Sequence, residues 1–192
     1  MIHKACKLLC FGFLILATGC NTIGKPLKTV DYVDIDRFMG YWYVIASIPT
    51  FAERDAYDPI EHYALNDDGT IATTFRFKKG NPHGDVREIS ATGFVKNRLT
   101  NAVWGVQFIW PIKADYRIIR LDPGYELTMV GRTKRDYLGI MSRHQPIPST
   151  QLKDLVNFAK ALGYDTTKIQ TTSWQTNRLA EPEAASPGKV GL

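Results

Sequence analysis

Between residues 70 and 78 apolar and polar side chains alternate. Ile71, Thr73, Phe75 and Phe77 fall on one face, and Ala72, Thr74, Arg76 and Lys78 on the other. Period-two alternation marks a strand with one face buried. Comparable β-rich runs predict strands near 42–48, 60–66, 70–78, 86–96, 101–110, 115–122, 125–132 and 137–143. The breaks between them carry turn chemistry. Asn66-Asp67-Asp68-Gly69 supplies residues that tolerate positive φ in a tight hairpin, residues 79–85 form a longer loop, and residues 97–101 and Asp122-Pro123-Gly124 close further hairpins. Short strands at regular spacing predict an all-β sandwich or an up-and-down barrel. Strand 101–110 is apolar on both faces, with Trp104, Val106, Phe108 and Trp110 on one and Val103 and Ile109 on the other. It needs cover on both sides, which an apolar lumen inside a barrel and a helix packed outside would provide.

One helix is legible after the strands. Ser149 can cap it, Leu152, Leu155, Val156, Ala159 and Leu162 fall on one stripe, and Gly163 can end it in the left-handed conformation. A polar β-like run, 168–174, follows. The Ala-, Glu-, Pro- and Gly-rich segment 177–192 reads as a disordered tail.

Composition narrows the function. Hydrophobic residues make up 44% of the 192, enough for a packed interior. The net charge is +5, and it falls to +3 once residues 1–19, with Lys4 and Lys7, are set aside. That excess is too mild for nucleic acid, and the short cluster Arg132, Lys134, Arg135 reads as a solvated loop. All three cysteines, Cys6, Cys10 and Cys20, lie in the first twenty residues, so the folded body has neither a disulfide nor a thiolate metal site.

The N-terminus reads as a targeting segment. Lys4 and Lys7 precede an apolar run, Leu8 to Ala17, far too short to span a bilayer but suited to a signal-peptide core. Leu16-Ala17-Thr18-Gly19-Cys20 resembles the bacterial lipobox, with Ala17 where that motif prefers leucine. The resemblance implies cleavage before Cys20, lipidation of Cys20, and attachment to the membrane through that anchor. Two or more acyl chains give stable anchoring, at about 0.8 kcal/mol per buried methylene. Asn21, rather than aspartate, implies the bacterial outer membrane, with the domain on the periplasmic side. The expected division is a signal peptide over 1–19, a tether over 20–33, a domain over 34–176 and a tail over 177–192.

Three motifs then occur in order. Gly40-Tyr41-Trp42 at the start of the first strand resembles the lipocalin signature, and Asp36-Arg37-Phe38-Met39 before it resembles the family's short 3₁₀ turn. Phe51-Ala52-Glu53-Arg54 resembles the first-loop segment of the bacterial branch. Leu121-Asp122, followed by Tyr125, resembles the second signature, and Arg135 to Arg143 resembles the last-strand motif ending in the family's arginine. The chain is thus similar to the bacterial outer-membrane lipocalins, related to apolipoprotein D. The resemblance implies an eight-stranded antiparallel up-and-down barrel with one C-terminal helix packed outside. Closure leaves no sheet edge, and eight strands leave room for one small ligand. Trp42 and Arg143 are read as structural, together with Gly40: a buried ring at the closed end, with a guanidinium laid on its face. Gly139 stands where the bacterial group often has a bulky aromatic, which leaves a gap or a kink.

No catalytic signature stands out: there is no zinc-protease, nucleophile-elbow, phosphate-loop or dinucleotide motif. His62, on a strand between Glu61 and Tyr63, reads as outward-facing, His83 as solvated, and His144 as a strand-end residue. Glu53, Asp55, Asp58 and Glu61 crowd the first long connection and read as a wet run of charge. The aromatic residues are the better lead. Phe75, Phe77, Trp104, Phe108 and Tyr116 are the candidate ligand contacts, because lipophile pockets are concave and mostly apolar. By resemblance the ligand is a fatty acid or lysophospholipid bound for storage or transport in envelope maintenance, with no cofactor and no enzymatic activity. The alternatives are a lipid-modifying enzyme on the same barrel or a haem or pigment binder. The sequence leaves a homodimer open.

Overall fold

The computed structural model describes residues 27–172 and 174. The signal segment, Cys20 and the tail lie outside them. Eight antiparallel strands follow a single turn of helix, α1 (Ile35–Phe38): β1 (Gly40–Ile48), β2 (Ala56–Leu65), β3 (Ile71–Lys79), β4 (Val86–Val95), β5 (Val103–Ile109), β6 (Ile112–Leu121), β7 (Leu127–Gly131) and β8 (Leu138–Ser142). Each pairs with its neighbour in sequence, and β1 pairs with both β8 and β2, which closes the barrel. A two-residue strand, β9 (Gln170–Thr171), adds to β1 from outside.

The hairpin chemistry works as the sequence suggests. In the β2–β3 turn Gly69 takes φ +76, and Asp68 Oδ1 accepts from the Thr70 N–H at 2.9 Å. The Asp122 carboxylate collects the N–H groups of Gly124, Glu126 and Leu127 in the β6–β7 turn.

Helix α2 (Ser149–Ala161) lies against the outer wall. Ser149 is its first residue rather than its cap; Pro148 holds the cap position, without a side-chain hydrogen bond. The other end matches expectation. Gly163, at φ +86, lets its own N–H reach Lys160 O and the Tyr164 N–H reach Ala159 O, at 3.0 and 3.1 Å. Leu155 and Ala159 bury against Ile119, Leu127, Met129, Leu138 and Ile140. The helix therefore covers β6, β7, β8 and β1, not β5 as the doubly apolar pattern suggests. On β5 the outer face at Gly105 lies under Lys96 and Lys113. A register shift between Val106 and Ile109 breaks the alternation, and Trp110 stands 83% exposed in the hairpin turn.

Residues 27–33, expected as tether, run along the barrel. Leu27 and Val33 are buried, the Val30 N–H donates to Ile118 O, and the Val33 N–H donates to Thr100 O.

Candidate functional site

The barrel is stoppered at the end where α1 feeds β1. Trp42 is fully buried and donates from Nε1 to Phe38 O at 2.9 Å, with the Phe38 ring 5.1 Å away. Trp104 donates to Asn101 O at 2.6 Å and stacks on Tyr116 at 5.2 Å. Phe38 meets Trp104 edge-on at 5.5 Å. These rings fill the cross-section and make a floor. Arg143 locks it from outside: its Cζ lies 3.8 Å from the Trp42 ring centroid, and its Nη atoms donate to the carbonyls of Tyr41, Arg37 and Met39 at 2.6, 3.0 and 2.8 Å. One planar fork serves carbonyls that the turn into β1 leaves unpaired. Gly40 takes φ +93, and a Cβ there would sit 3.4 Å from Arg143 Nη1.

Above the floor lie two adjoining cavities, of about 370 and about 250 Å³, which share Glu53, Glu61, Phe75 and Tyr137. Phe75, Ile89, Val106, Phe108 and Tyr116 wall the larger. Of the five aromatic residues singled out from sequence, Phe75, Phe108 and Tyr116 reach this cavity. Phe77 packs on Phe75 at 5.1 Å outside its wall, and Trp104 belongs to the floor. Both point inward, but Trp104 sits too deep. Phe108 is 50% exposed, at the rim.

The lumen also holds polar residues that the sequence reading placed elsewhere. Strand β2 begins at Ala56, so Asp58 and Glu61 are strand residues and not part of a wet loop. Asp58 is 2% exposed and ion-paired with Lys78 at 2.8 Å; Glu61 is 6% exposed and faces the lumen. The signal for Glu61 was in the phase: if His62 faces out, its neighbours Glu61 and Tyr63 face in. His62 does lie outside, 4.2 Å from Tyr41. Burial pushes the Glu61 carboxyl up to about 8, the nearby Glu53 adds to this, and a hydrogen bond with Tyr63 opposes it. Tyr63 in turn shares a 2.7 Å hydrogen bond with Tyr116.

Glu53 lies in the short 3₁₀ turn Phe51–Glu53, where its Oε2 accepts from the Thr50 N–H at 2.8 Å. Burial raises this carboxyl too, against the Thr50 hydrogen bonds and the charge of Arg132. Arg132, read from sequence as solvated, instead lines the larger cavity and stacks 4.9 Å from the Tyr137 ring centroid. Burial works to raise Asp115, but hydrogen bonds from Thr133 and Arg117 hold it below the ordinary range. At Gly139 no gap opens. A Cβ there would meet Val130 at 3.0 Å and the Tyr137 hydroxyl at 3.4 Å, so these two side chains have taken the space. No group of three His, Cys, Asp or Glu side chains suited to a metal gathers among the described residues.

A stoppered eight-stranded barrel with an apolar cavity above the floor is a container. The model of the lipocalin-like domain family matches residues 33–174. The chain belongs to the lipocalin family. Temperature-induced lipocalin-1 of Arabidopsis thaliana is 31% identical over 182 residues, covering 88% of this chain and 93% of that protein. The outer membrane lipoprotein Blc of Escherichia coli K12 is 30% identical over 159 residues, covering 82% and 88%. Among solved structures, insecticyanin from the tobacco hornworm Manduca sexta superposes with a TM-score of 0.60 at 14% identity, covering 78% of this lipocalin and 85% of that chain, a likeness of fold alone. Lipocalins bind small hydrophobic ligands and are not enzymes, and this lipocalin's cavity suits a lipophile.

Proposed function

We propose that this lipocalin is an outer-membrane lipoprotein, anchored through Cys20 on the periplasmic side, that holds a fatty acid or lysophospholipid in its lumen and serves lipid storage or transport in envelope maintenance. The observation that carries the reading is the larger cavity. Phe75, Ile89, Val106 and Phe108 present an apolar wall of the kind that accepts an acyl chain. The Blc relatives, which are outer membrane lipoproteins by name, support the location, and the lipobox-like run before Cys20 supports the anchor.

Native mass spectrometry of the full chain released gently from membranes should find one acyl lipid per protein. A chain that carries none and cannot take up the neutral dye Nile red would reject the reading. Cys20→Ser should move the protein from the membrane pellet to the soluble periplasmic fraction. A variant that sediments with membranes as firmly as the parent would reject the anchor.

A further inference from the structure

The lumen carries more acid than base. Four charged side chains line the larger cavity: Glu53, Glu61, Asp115 and Arg132. Asp115 is paired with Arg117 at 3.0 Å and accepts from the Thr133 N–H and hydroxyl. Arg132 lies over the Tyr137 ring, and its charge acts on Glu53. Arg54 and Asp55, at the edge of the smaller cavity, are one of each sign and stand in water. Glu61 is what remains. It lies in the wall of both cavities, and its partners are another acid, Glu53, and the neutral Tyr63, with no ion pair to a cation among the described residues. A buried carboxyl in this position is costly to ionise without a partner. Aliphatic side chains would build the same wall without that cost.

We propose that the lumen selects a single-chain amphiphile whose polar end is an ammonium, seated beside the Glu61 and Glu53 carboxyls with its chain against Phe75, Val106 and Phe108. This rests on the lumen being the ligand site; of the two ligands proposed above it sets aside the free fatty acid and keeps a lysophospholipid whose head group carries an ammonium. An ammonium brought to Glu61 lets the carboxyl ionise against a counter-charge, in a low-dielectric setting where the attraction is strong. A free fatty carboxylate brings Glu61 no counter-charge, and its own charge opposes the ionisation of either acid.

The test compares three probes of one chain length, tetradecylamine, tetradecanol and tetradecanoic acid, each displacing Nile red from the full chain at neutral pH and below micelle-forming concentrations. The amine should displace the dye at a concentration about tenfold lower than the acid. In Glu61→Gln, which keeps the shape and loses the charge, the amine should fall to the level of the alcohol while the alcohol is unchanged. Glu53→Gln, in a surface turn where glutamine can still accept from Thr50, should lower the amine's advantage severalfold and covers the case of a misfolded Glu61 variant. An acid that binds as well as the amine overturns the inference, and so does a folded Glu61→Gln protein that keeps the amine's advantage. If the alcohol binds without any preference for the amine, only this inference fails. If none of the three displaces the dye, the lumen itself is not the site.

Discussion

The floor and the lumen are built from the same inward-facing rows of the same strands, two residues apart. On β2 Tyr63 lies in the floor and Glu61 in the lumen; on β5 Trp104 lies in the floor and Val106 above it. The floor is solid: its rings touch, its indole N–H groups are all donated, and Arg143 seals it. The lumen is open, with a cavity and an acid, Glu61, that has no counter-charge among the described residues. Facing inward therefore does not decide whether a residue supports or binds; depth along the barrel axis does. At the stoppered end rings fill the whole section, so volume is worth stability. Toward the mouth volume is left empty, so side chains there are free to serve a ligand.

The largest expected effect tests the floor. Trp42→Ala removes a fully buried ring from between Phe38 and Arg143 and should cost about 3–5 kcal/mol of stability. The affinity of the molecules that remain folded should barely change. Urea melts followed by dye titration below the transition would show both. A stable protein with weakened binding would erase the distinction between the two regions.

A second effect tests the lumen through pH. The unfolded chain releases the Glu61 proton near 4.5, whereas the folded chain holds it to about 8. Between those values the folded state binds more protons, so stability falls as pH rises. The contribution is whole below 4.5, declines through the window and is gone above about 8. Glu61→Gln has no such proton. Relative to the parent it should gain at most about 1.4 kcal/mol for each pH unit within the window and nothing further beyond it. Parallel curves of urea midpoint against pH for the two proteins would show that Glu61 is not held neutral by the fold.

Most of the fold was legible because its signals are local. Alternation, the Asn-Asp-Asp-Gly turn and the glycine that ends α2 each act within a few residues, and strand limits fell within a few positions of those expected. The three motifs added closure, which alternation alone leaves open between barrel and sandwich. The site was legible in part, for the reason the floor and the lumen differ. Alternation told which way Trp104 and Phe75 point but carried no information on depth, so one fell in the floor and one in the wall. Glu61 escaped because charged residues near a loop were assumed wet, although the outward phase of His62 already turned it inward. Arg132 escaped because a basic cluster on a hairpin says nothing of which member turns toward the cavity. Neither depth nor such turning is a property of neighbours in sequence.

The smallest expected effect on stability is also the sharpest test of the mouth. Phe108 lines the larger cavity yet is half exposed, because the register shift after Val106 carries it to the rim. Had it faced α2, a charge there would be trapped in a dry seam beside Leu155 and the fold would fail first. No such seam lies behind it, since α2 packs over β6, β7, β8 and β1. In Phe108→Asp water can follow the carboxylate, so the urea midpoint should move by no more than a surface change does, about 0.5 kcal/mol. The ligand loses more. An acyl chain passing the rim gives up an aromatic contact and meets a hydrated charge that it must either strip or avoid. Affinity for tetradecanol, a neutral probe that Glu61 does not discriminate, should fall about tenfold. A folded Phe108→Asp protein that binds tetradecanol as the parent does would place the chain's path elsewhere, through the smaller cavity beside Tyr57 and Gln170. A collapse of stability would mean that the rim is packed like the floor, and that depth does not separate the two.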